Sequence, residues 1–252
     1  MNLPIILINL SESKARLERS QQELGRAGLT FERLEAVDGR KMSKDELDKI
    51  TQSDKTAFFK PLSAGEVGCY LSHIAAAEKI VRENWSYALV FEDDFRLTSQ
   101  FSEIISTVLK EAPQGFHIIK LQGNVSGGEV LVHLNSDHKI MRHRCISSQT
   151  VAQLWSLEGA QVFLNIARPL RRPVDVQIKH WWEGPLNIFQ VFPPVVLDGD
   201  AQGTTSTIGA RKPKGILNWL RRARYKLTFS FQGHLKYFNR YGLMSWLRSL
   251  RR

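Results

Sequence analysis

Apolar runs alternate with longer polar segments over the first 95 residues of the chain. Residues 4–9 (P-I-I-L-I-N) predict a short buried strand, and residues 11–27 predict a helix with a weak apolar stripe. Residues 30–37 alternate between apolar and polar side chains as a second strand, and the turn signal Asp38-Gly39 follows. The order strand, helix, strand is typical of an α/β sheet whose first strands run parallel.

Capping signals predict where the next helices begin. A serine followed three residues later by a glutamate forms a capping box, and this pair occurs at residues 43–46 and again at 63–66. The second box opens a predicted helix over residues 62–83, and an apolar strand over 87–91 follows it.

The second half of the chain continues the α/β pattern. Strand-like segments lie at residues 116–121, 129–134, 139–144 and 151–157, and a helix is predicted over about 158–167. Pro169 and Pro173 interrupt the chain before V-D-V-Q-I-K-H-W-W, which could form another helix.

Three consecutive acids, Glu92–Asp94, come directly after the apolar strand at 87–91. Asn9 and Asp38 lie at the ends of the two preceding strands, and such sheets bind ligands beyond the carboxyl ends of their strands. Two adjacent carboxylates can hold a hard divalent cation, Mn²⁺ or Mg²⁺, which in turn neutralises a diphosphate. The alternative is a solvated acidic turn that pairs with Arg96 or with the basic C-terminal residues.

Composition and motifs exclude several classes of protein. With 42% hydrophobic residues in 252, the chain can build the core of one large domain or of a domain with an appendage. No G-x-x-x-x-G-K-[ST] loop and no G-x-G-x-x-G fingerprint opens the first helix, which disfavours P-loop ATPases and dinucleotide dehydrogenases. Cys69 and Cys145 are too few for a disulfide framework, and the N-terminal residues lack the pattern of a signal peptide or membrane span. We therefore expect a cytoplasmic protein.

The net charge of +10 is concentrated at the C-terminus. Residues 211–252 contain twelve Lys and Arg and no Asp or Glu, whereas residues 1–210 carry 23 basic and 25 acidic side chains. We predict a catalytic domain over 1–210 and a basic amphipathic tail over 211–252. Segments 215–231 and 242–252 interleave Trp, Leu and Phe with Lys and Arg, which is typical of helices that lie on an anionic membrane surface.

Two other interpretations of the tail stay open. Basic segments with aromatic residues also bind nucleic acid, but the pairs Trp219-Leu220 and Trp246-Leu247 favour lipid over a phosphate groove, so no nucleic-acid partner is predicted. In the second interpretation, part of the tail packs back onto the domain. The membrane interpretation predicts a peripheral protein on the inner face of the cytoplasmic membrane.

Several motifs resemble glycosyltransferase family 25, the lipooligosaccharide galactosyltransferases and their collagen-modifying relatives. The specific matches are I-N-L-S-E-S-K-A-R-L-E-R near the N-terminus, A-V-D-G at 36–39, L-S-A-G-E-V-G-C-Y-L-S-H at 62–73 and A-L-V-F-E-D-D-F at 88–95. Weaker matches follow in E-G-A-Q-V-F-L at 158–164, R-P-V-D at 172–175 and S-T-I-G at 206–209. The L-W-S-L segment before E-G-A departs from the family, which often has a tyrosine-bearing strand there.

The resemblance implies a fold, a reaction and partners. The implied fold is the A-type nucleotide-sugar glycosyltransferase fold, with a Rossmann-like mixed sheet. The implied reaction is a metal-dependent inverting transfer of galactose from UDP-galactose to a sugar hydroxyl of a lipid-linked oligosaccharide, as in lipopolysaccharide biosynthesis. UDP-glucose is the alternative donor, and a non-catalytic basic protein that binds lipid or nucleic acid is the alternative from another class.

The resemblance also implies roles for the acids. Asp94 would contact the metal with Asp93 as co-ligand, and Glu92 would lie near the ribose or the sugar. Asp175, in R-P-V-D, is the predicted catalytic base that takes the proton from the acceptor hydroxyl, and Glu92 is the second catalytic candidate. Alternatively, Asp175 only stabilises the dipole of a helix N-terminus.

The remaining candidates would surround the donor. Asn9, Leu10 and Asp38 would line the nucleotide pocket, although Asn9 could instead cap a loop and Asp38 could only form a turn. Ser206 would belong to a loop that closes over the phosphates, or to an ordinary surface loop.

Two helical residues complete the predicted donor site. Glu66 and His73 lie seven residues apart on one helix face and would form a wall of the site. The capping box alone would also explain Glu66, and His73 could be a buried, hydrogen-bonded histidine of the core.

Overall fold

A computed structural model describes residues 3–51, 57–123, 127–199 and 216–250. The strands are β1 Ile5–Asn9, β2 Glu32–Glu35, β3 Tyr87–Glu92, β4 Phe95–Leu97, β5 Ile118–Lys120, β6 Glu129–His133, β7 Lys139–Arg142, β8 Ala152–Ser156, β9 Ile188–Phe192 and β10 Val196–Asp198. The α-helices are α1 Lys14–Arg26, α2 Lys44–Ile50, α3 Ala64–Arg82, α4 Phe101–Glu111, α5 Leu157–Ile166, α6 Val174–Lys179 and α7 Ile216–Arg248. Short 3₁₀ helices lie at Gly39–Lys41 and Trp181–Glu183.

Eight strands form one mixed sheet in the order β2-β1-β3-β8-β5-β9-β7-β6. β1 pairs in parallel with both β2 and β3, so the predicted parallel start of the sheet is confirmed. β8 then runs antiparallel between β3 and β5. The predicted α/β class with a mixed sheet and a C-terminal helical appendage is confirmed.

Alternate residues of a strand point to opposite faces of the sheet, and here each face packs against helices. Ile5 and Leu7 of β1 join a core cluster that includes side chains of α1 and α4. Ile6 and Ile8 join a second cluster that includes side chains of α3, α5 and α6. The domain is therefore a three-layer arrangement with its sheet in the middle.

Both predicted capping boxes form. The Ser43 hydroxyl accepts the Glu46 amide at the start of α2, and the Ser63 hydroxyl accepts the Glu66 amide at the start of α3. The strand-like segments at 116–121, 129–134, 139–144 and 151–157 correspond to β5, β6, β7 and β8. The elements α4, β4, β9 and β10 were not predicted, so β9 and the small β4–β10 pair were found only in the structure.

The C-terminal helix α7 packs partly against the domain. The helix is kinked at Gly242, where φ is +77°. Tyr237 is fully buried in the same cluster as Trp181, and Arg240 donates to the carbonyls of Pro185 and Leu186, each at 3.2 Å. The second half of α7 therefore packs back onto the domain, as one interpretation of the tail expects.

The other face of α7 is exposed and apolar. Before Gly242, its exposed large apolar side chains are Ile216, Leu217, Trp219, Leu220, Leu227, Phe231, Leu235 and Phe238. Most of them recur every three, four or seven residues and form one stripe along the helix. Within the described residues, no helix has the length and hydropathy needed to cross a membrane.

Candidate active site

A crevice opens at the carboxyl ends of β1, β2 and β3, where the sequence analysis places the ligand. It is lined by Ile8, Leu10, Arg16, Ala36, Val37, Asp38, Gly39, Arg40, Gly65, Cys69, Ser72, His73, Glu92, Asp93 and Asp94. Five predicted site residues besides Glu92 therefore line one crevice together with it. Parallel strands bring their polar ends to the same edge of the sheet, which explains why segments far apart in sequence meet here.

Two glycines bring the walls of this crevice together. A Cβ on Gly39 would collide with the carbonyl of Ala64, and a Cβ on Gly68 would collide with the carbonyl of Val37. The Val37 amide donates to the Ser72 hydroxyl at 2.9 Å, which fixes the same approach. The A-V-D-G and G-E-V-G-C motifs are thus in direct contact, and only glycine permits that contact.

Asp93 is held by hydrogen bonds from β1 and α1. Its carboxylate accepts from Asn9 Nδ2 at 2.6 Å and from Arg16 Nη1 at 3.1 Å. Arg96 instead pairs with Glu23 at 2.9 Å. The guanidinium that binds Asp93 is therefore supplied by α1, and Asn9 bridges β1 to the acid that follows β3.

Glu92 lies beside a histidine and a cysteine of α3. The Glu92 carboxylate accepts the Thr150 hydroxyl, and its Oε1 lies 3.6 Å from His73 Nε2 and 4.0 Å from Cys69 Sγ. Cys69, His73 and Glu92 each present one ligand atom within 4.8 Å of the others, so this trio could hold a metal ion. Thiolate and imidazole favour softer ions than Mn²⁺ or Mg²⁺.

A loop over residues 147–150 joins the buried charges behind the crevice. The Lys120 ammonium donates to the carbonyls of Ser147 at 2.8 Å and Gln149 at 2.5 Å. The Gln149 amide lies 3.4 Å from the Asp175 carboxylate, and its backbone is left-handed with φ of +71°. Asp175 is 5% exposed at the start of α6. The loop therefore connects Asp175 to Lys120 and, through Thr150, to Glu92.

Burial shifts the pKa values of Glu92 and Lys120 towards neutrality. Desolvation raises the pKa of Glu92, and the negative charges of Asp175 and Asp93 raise it further. Desolvation lowers the pKa of Lys120 to about 7 and also lowers the pKa of His73. Groups whose pKa values are moved towards 7 beside a crevice are candidates for proton transfer.

The other predicted residues occupy different positions. Asp38 caps the 3₁₀ helix, and its hydrogen bonds with Arg40 lower the pKa of its carboxyl. Glu66 does not line the crevice, because its buried carboxylate binds Lys60 at 3.0 Å and completes the capping box. Asn9 lies beside the crevice rather than in its wall, and Ser206 is outside the described residues.

Several residues of this site have no signal in the local sequence. Lys120, Gln149 and Thr150 were not predicted, because their positions depend on the pairing of β8 with β3 and β5. Arg16 lies in a quoted motif, but an arginine in a polar helix is ordinarily a solvated residue. A lysine inside an apolar strand, as in F-H-I-I-K-L, was the one available signal for Lys120.

Comparison with known proteins places the chain in a family. A family model described as glycosyltransferase family 25 (LPS biosynthesis protein) matches residues 2–178. This match covers more than half of the chain and contains Glu92–Asp94 and Asp175. The chain belongs to glycosyltransferase family 25, which confirms the resemblance seen in its motifs.

Curated relatives match part of their own length. A "Glycosyltransferase 25 family member" of Aedes aegypti is 32% identical over 192 residues, which is 69% of this chain and 30% of that protein. A "Procollagen galactosyltransferase 1-A" of Xenopus laevis is 30% identical over 187 residues, covering 68% of this chain and 30% of that protein. A "Probable inactive glycosyltransferase 25 family member 3" of Bos taurus is 28% identical over 231 residues, which is 81% of this chain and 38% of that protein. The chain thus spans about a third of the length of these relatives.

Among solved structures, the chain is similar to a glycosyltransferase involved in the glycosylation of the major capsid of PBCV-1. The TM-score is 0.41 and the identity 8%, over 89% of this chain and 98% of that chain. A likeness at this level supports no conclusion about function.

Proposed function

We propose that this chain is a metal-dependent, inverting glycosyltransferase that moves galactose from UDP-galactose to a sugar hydroxyl. The observation that carries the proposal is the position of Glu92–Asp94, whose side chains line the crevice at the carboxyl ends of three parallel strands. Family membership alone would not suffice, since one relative is named a probable inactive member. The acids and the crevice make catalysis the better interpretation than a non-catalytic binding module.

The donor set fits a hard divalent cation. Asp93 and Asp94 offer carboxylate oxygens to the crevice, and such oxygens are the preferred ligands of Mn²⁺ and Mg²⁺. When bound there, the ion would neutralise the diphosphate of the donor and so help the nucleotide to leave. Arg16 and Asn9 hold the Asp93 carboxylate in place, so the site is oriented by its own neighbours.

Inverting transfer requires a base that takes the proton from the acceptor hydroxyl. Glu92 and Asp175 are the candidates, and Glu92 is favoured because it lines the crevice and its pKa is raised. Asp175 is buried behind the loop at 147–150, and its negative charge raises the pKa of Glu92. In this arrangement Asp175 tunes the base, and Lys120 balances the charge of the pair.

Support for the donor and the acceptor comes from different sources. The relatives named procollagen galactosyltransferases favour galactose, with UDP-glucose as the alternative donor. The description of the family model favours a lipopolysaccharide-type acceptor, a lipid-linked oligosaccharide. Exposed apolar side chains on α7 are in keeping with such an acceptor.

The exposed stripe of α7 also supports a membrane interaction. Leu227 and Phe231 are 72% and 69% exposed, and the exposed cations Arg221, Arg224 and Lys226 lie on the same helix. Apolar side chains that insert between lipids, flanked by cations that meet anionic headgroups, form an interfacial helix. We propose that α7 binds an anionic membrane surface, on the inner face of the cytoplasmic membrane.

Titration of UDP with and without Mn²⁺ tests the enzymatic proposal. We expect UDP to bind at least about tenfold more tightly with Mn²⁺, a difference of about 1.4 kcal/mol. Asp94→Asn should abolish this dependence on the metal while the protein stays folded, and hydrolysis of UDP-galactose should fall with it. A UDP affinity that is equal with and without the ion would refute the metal-dependent mechanism.

A further inference from the structure

A second cavity lies between the end of α6 and the first half of α7. It shares no lining residue with the donor crevice. Its volume is about 580 Å³. The charged and titratable side chains that line it are Arg171, Arg172, His180, Glu183, Arg221 and Arg224. Two chain segments far apart in sequence thus contribute two arginines each to one cavity.

The cavity carries an excess of positive charge. Among the described residues that line it, the one carboxylate, that of Glu183, binds Arg172 Nη1 at 3.0 Å, and Arg221 and Arg224 add two further guanidinium groups. Burial and the neighbouring Arg172 charge lower the pKa of His180 to about 4, so this imidazole adds no charge at neutral pH. Confining like charges in one cavity is unfavourable unless an anion offsets them.

Two buried donors in the cavity wall lack acceptors. Arg172 is only 3% exposed, and its Nε has no hydrogen-bond partner among the described residues. The Tyr225 hydroxyl, also in the wall, is likewise buried without a partner there, and burial raises its pKa so that it keeps its proton. Leaving a buried donor unsatisfied costs about 1–3 kcal/mol. A ligand rich in acceptor oxygens would relieve both.

The remaining wall is aromatic. The Phe229 ring lies 4.8 Å from His180 and is stacked on Tyr225 at 6.3 Å. An apolar, flat wall next to a cationic one suits a ligand that has a charged group on a ring-bearing body. Guanidinium groups match phosphate oxygens in bidentate geometry, and a cavity of about 580 Å³ suits one such group on a small body.

We propose that this cavity binds a phosphoryl group, carried either by the acceptor glycan or by a lipid headgroup. α6 has Asp175 near its start and His180 directly after its end. Six helical residues rise about 9 Å, so this short helix links the cavity to the carboxylate cluster behind the donor crevice. A phosphorylated acceptor held in the cavity would extend towards that cluster. This positioning role rests on the proposed glycosyl transfer, whereas phosphate binding does not.

Binding of inorganic phosphate to the full chain, measured by calorimetry without divalent ions, tests the proposal. Arg221→Gln with Arg224→Gln removes two of the four cations from exposed positions, so folding should be retained. We expect phosphate to bind at least about tenfold more weakly to this double variant, because hydrogen bonds to charged groups are stronger than those between neutral groups. The matched control, Lys226→Gln with Lys236→Gln, removes two charges from α7 outside the cavity and should bind as the wild type does.

Two further ligands separate the sources of the phosphoryl group. Glucose 6-phosphate that binds more tightly than phosphate, with glucose showing no binding, indicates a glycan ligand. Vesicles of phosphatidylcholine with phosphatidic acid that bind the wild type better than vesicles with equal phosphatidylglycerol indicate a lipid headgroup. Equal phosphate affinity of the wild type and the arginine variant would overturn the proposal. Unchanged Mn²⁺-dependent UDP binding in that variant keeps this failure distinct from a failure of the enzymatic proposal.

Discussion

Glu92 lies at the end of a buried strand, and this position raises the pKa of its carboxyl. The carboxylate follows four fully buried residues of β3, and it accepts a hydrogen bond from Thr150 while lying beside His73. Its environment removes water, and in the part of the chain that the structure describes the nearby Arg16 guanidinium binds Asp93. The carboxyl group is therefore held more weakly ionised than an exposed glutamate.

Replacing Glu92 by Gln should change the pH dependence of stability. The folded pKa of Glu92 is raised from 4.5 to about 7, so its stabilising contribution is present below about pH 4.5 and is lost as the pH rises through about 7. Glu92→Gln removes this dependence while a side-chain oxygen can still accept from Thr150. We expect the difference in melting temperature, variant minus wild type, to increase between pH 5 and 8. The corresponding increase in the free energy of unfolding of the variant relative to the wild type should be no more than about 3 kcal/mol.

The exposed Glu111 at the end of α4 provides the control, and Glu111→Gln should show no such trend over the same pH range. A flat difference for Glu92→Gln would mean that the carboxyl ionises normally. If Glu92 is the base, the variant should also lose about 10²–10⁴-fold in transfer rate.

Among the individual residues of the site, the acids were predicted from the sequence but their hydrogen-bond partners were not. Three acids after an apolar strand are visible in any linear reading, and so is the asparagine at the end of β1. Thr150 and Gln149 were not predicted because they reach the acids through a strand that enters the sheet antiparallel, next to β3. Local pattern gives no information on which distant strand becomes a neighbour.

Among the elements, the contact between α3 and the Asp38–Lys41 turn decides the shape of the crevice. Gly39 and Gly68 allow backbone to approach backbone, and the start of α3 is fixed by its capping box and by Lys60. The same turn and helix supply Asp38, Cys69 and His73 to the crevice. Separation of the two elements would therefore move several site residues at once.

Substitution of Gly68 by Ala tests this contact. Its new Cβ would collide with the Val37 carbonyl, so we expect a loss of about 1–3 kcal/mol in the free energy of unfolding, the usual cost of overpacking. UDP affinity should fall as well. Chemical denaturation measures the first effect and calorimetry the second.

The matched control is Gly25→Ala in α1, where no atom lies within 4 Å of the added Cβ. That change should stabilise the protein by about 0.5–1 kcal/mol, because alanine is the better helix former. Equal effects of the two substitutions would show that the close approach at Gly68 does not matter.

Capping boxes and strong periodicity explain why most elements were predictable. α4 was not predicted although Phe101, Ile104, Ile105 and Val108 have helical spacing, because its Ser, Thr, Ile and Val residues weaken the helical propensity. β9 follows directly after a proline-containing turn, and its role depends on pairing with β5 and β7. The strands that went unpredicted, β4, β9 and β10, are short segments whose identity is set by tertiary neighbours.

For the whole molecule, α7 combines a packed half and an exposed stripe. Removing residues 211–252 would uncover Trp181 and the cluster around Tyr237, so such a deletion would mix loss of folding with loss of membrane binding. Glu129 of β6 also binds the tail, through Ser245 and through Arg248 at 2.9 Å. Point substitutions in the stripe separate the two effects.

Leu227→Ser with Phe231→Ser should reduce binding to vesicles of phosphatidylcholine and phosphatidylglycerol by at least about tenfold, because each buried apolar side chain contributes about 1.5–3 kcal/mol. Co-sedimentation measures this partition. The control Val130→Ser with Leu197→Ser changes two exposed apolar residues outside α7 and should bind as the wild type does.

Two outcomes would contradict a membrane role for the stripe. One is equal partition of the stripe variant and the wild type. The other is a wild-type dimer that the stripe substitutions convert to a monomer without any change in vesicle binding, which would assign the stripe to a second copy of the chain.

The family match ends at residue 178, and the platform for α7 begins almost immediately afterwards with Trp181 and Trp182. On the proposed function, the acids that meet the donor lie within the matched residues, whereas the exposed stripe of α7 lies after them. Substitutions confined to the stripe should therefore change membrane partition while the acids stay as they are. Because β9 and β10 also follow residue 178 and pair within the sheets, a transfer of membrane affinity to another member of the family would have to use α7 alone.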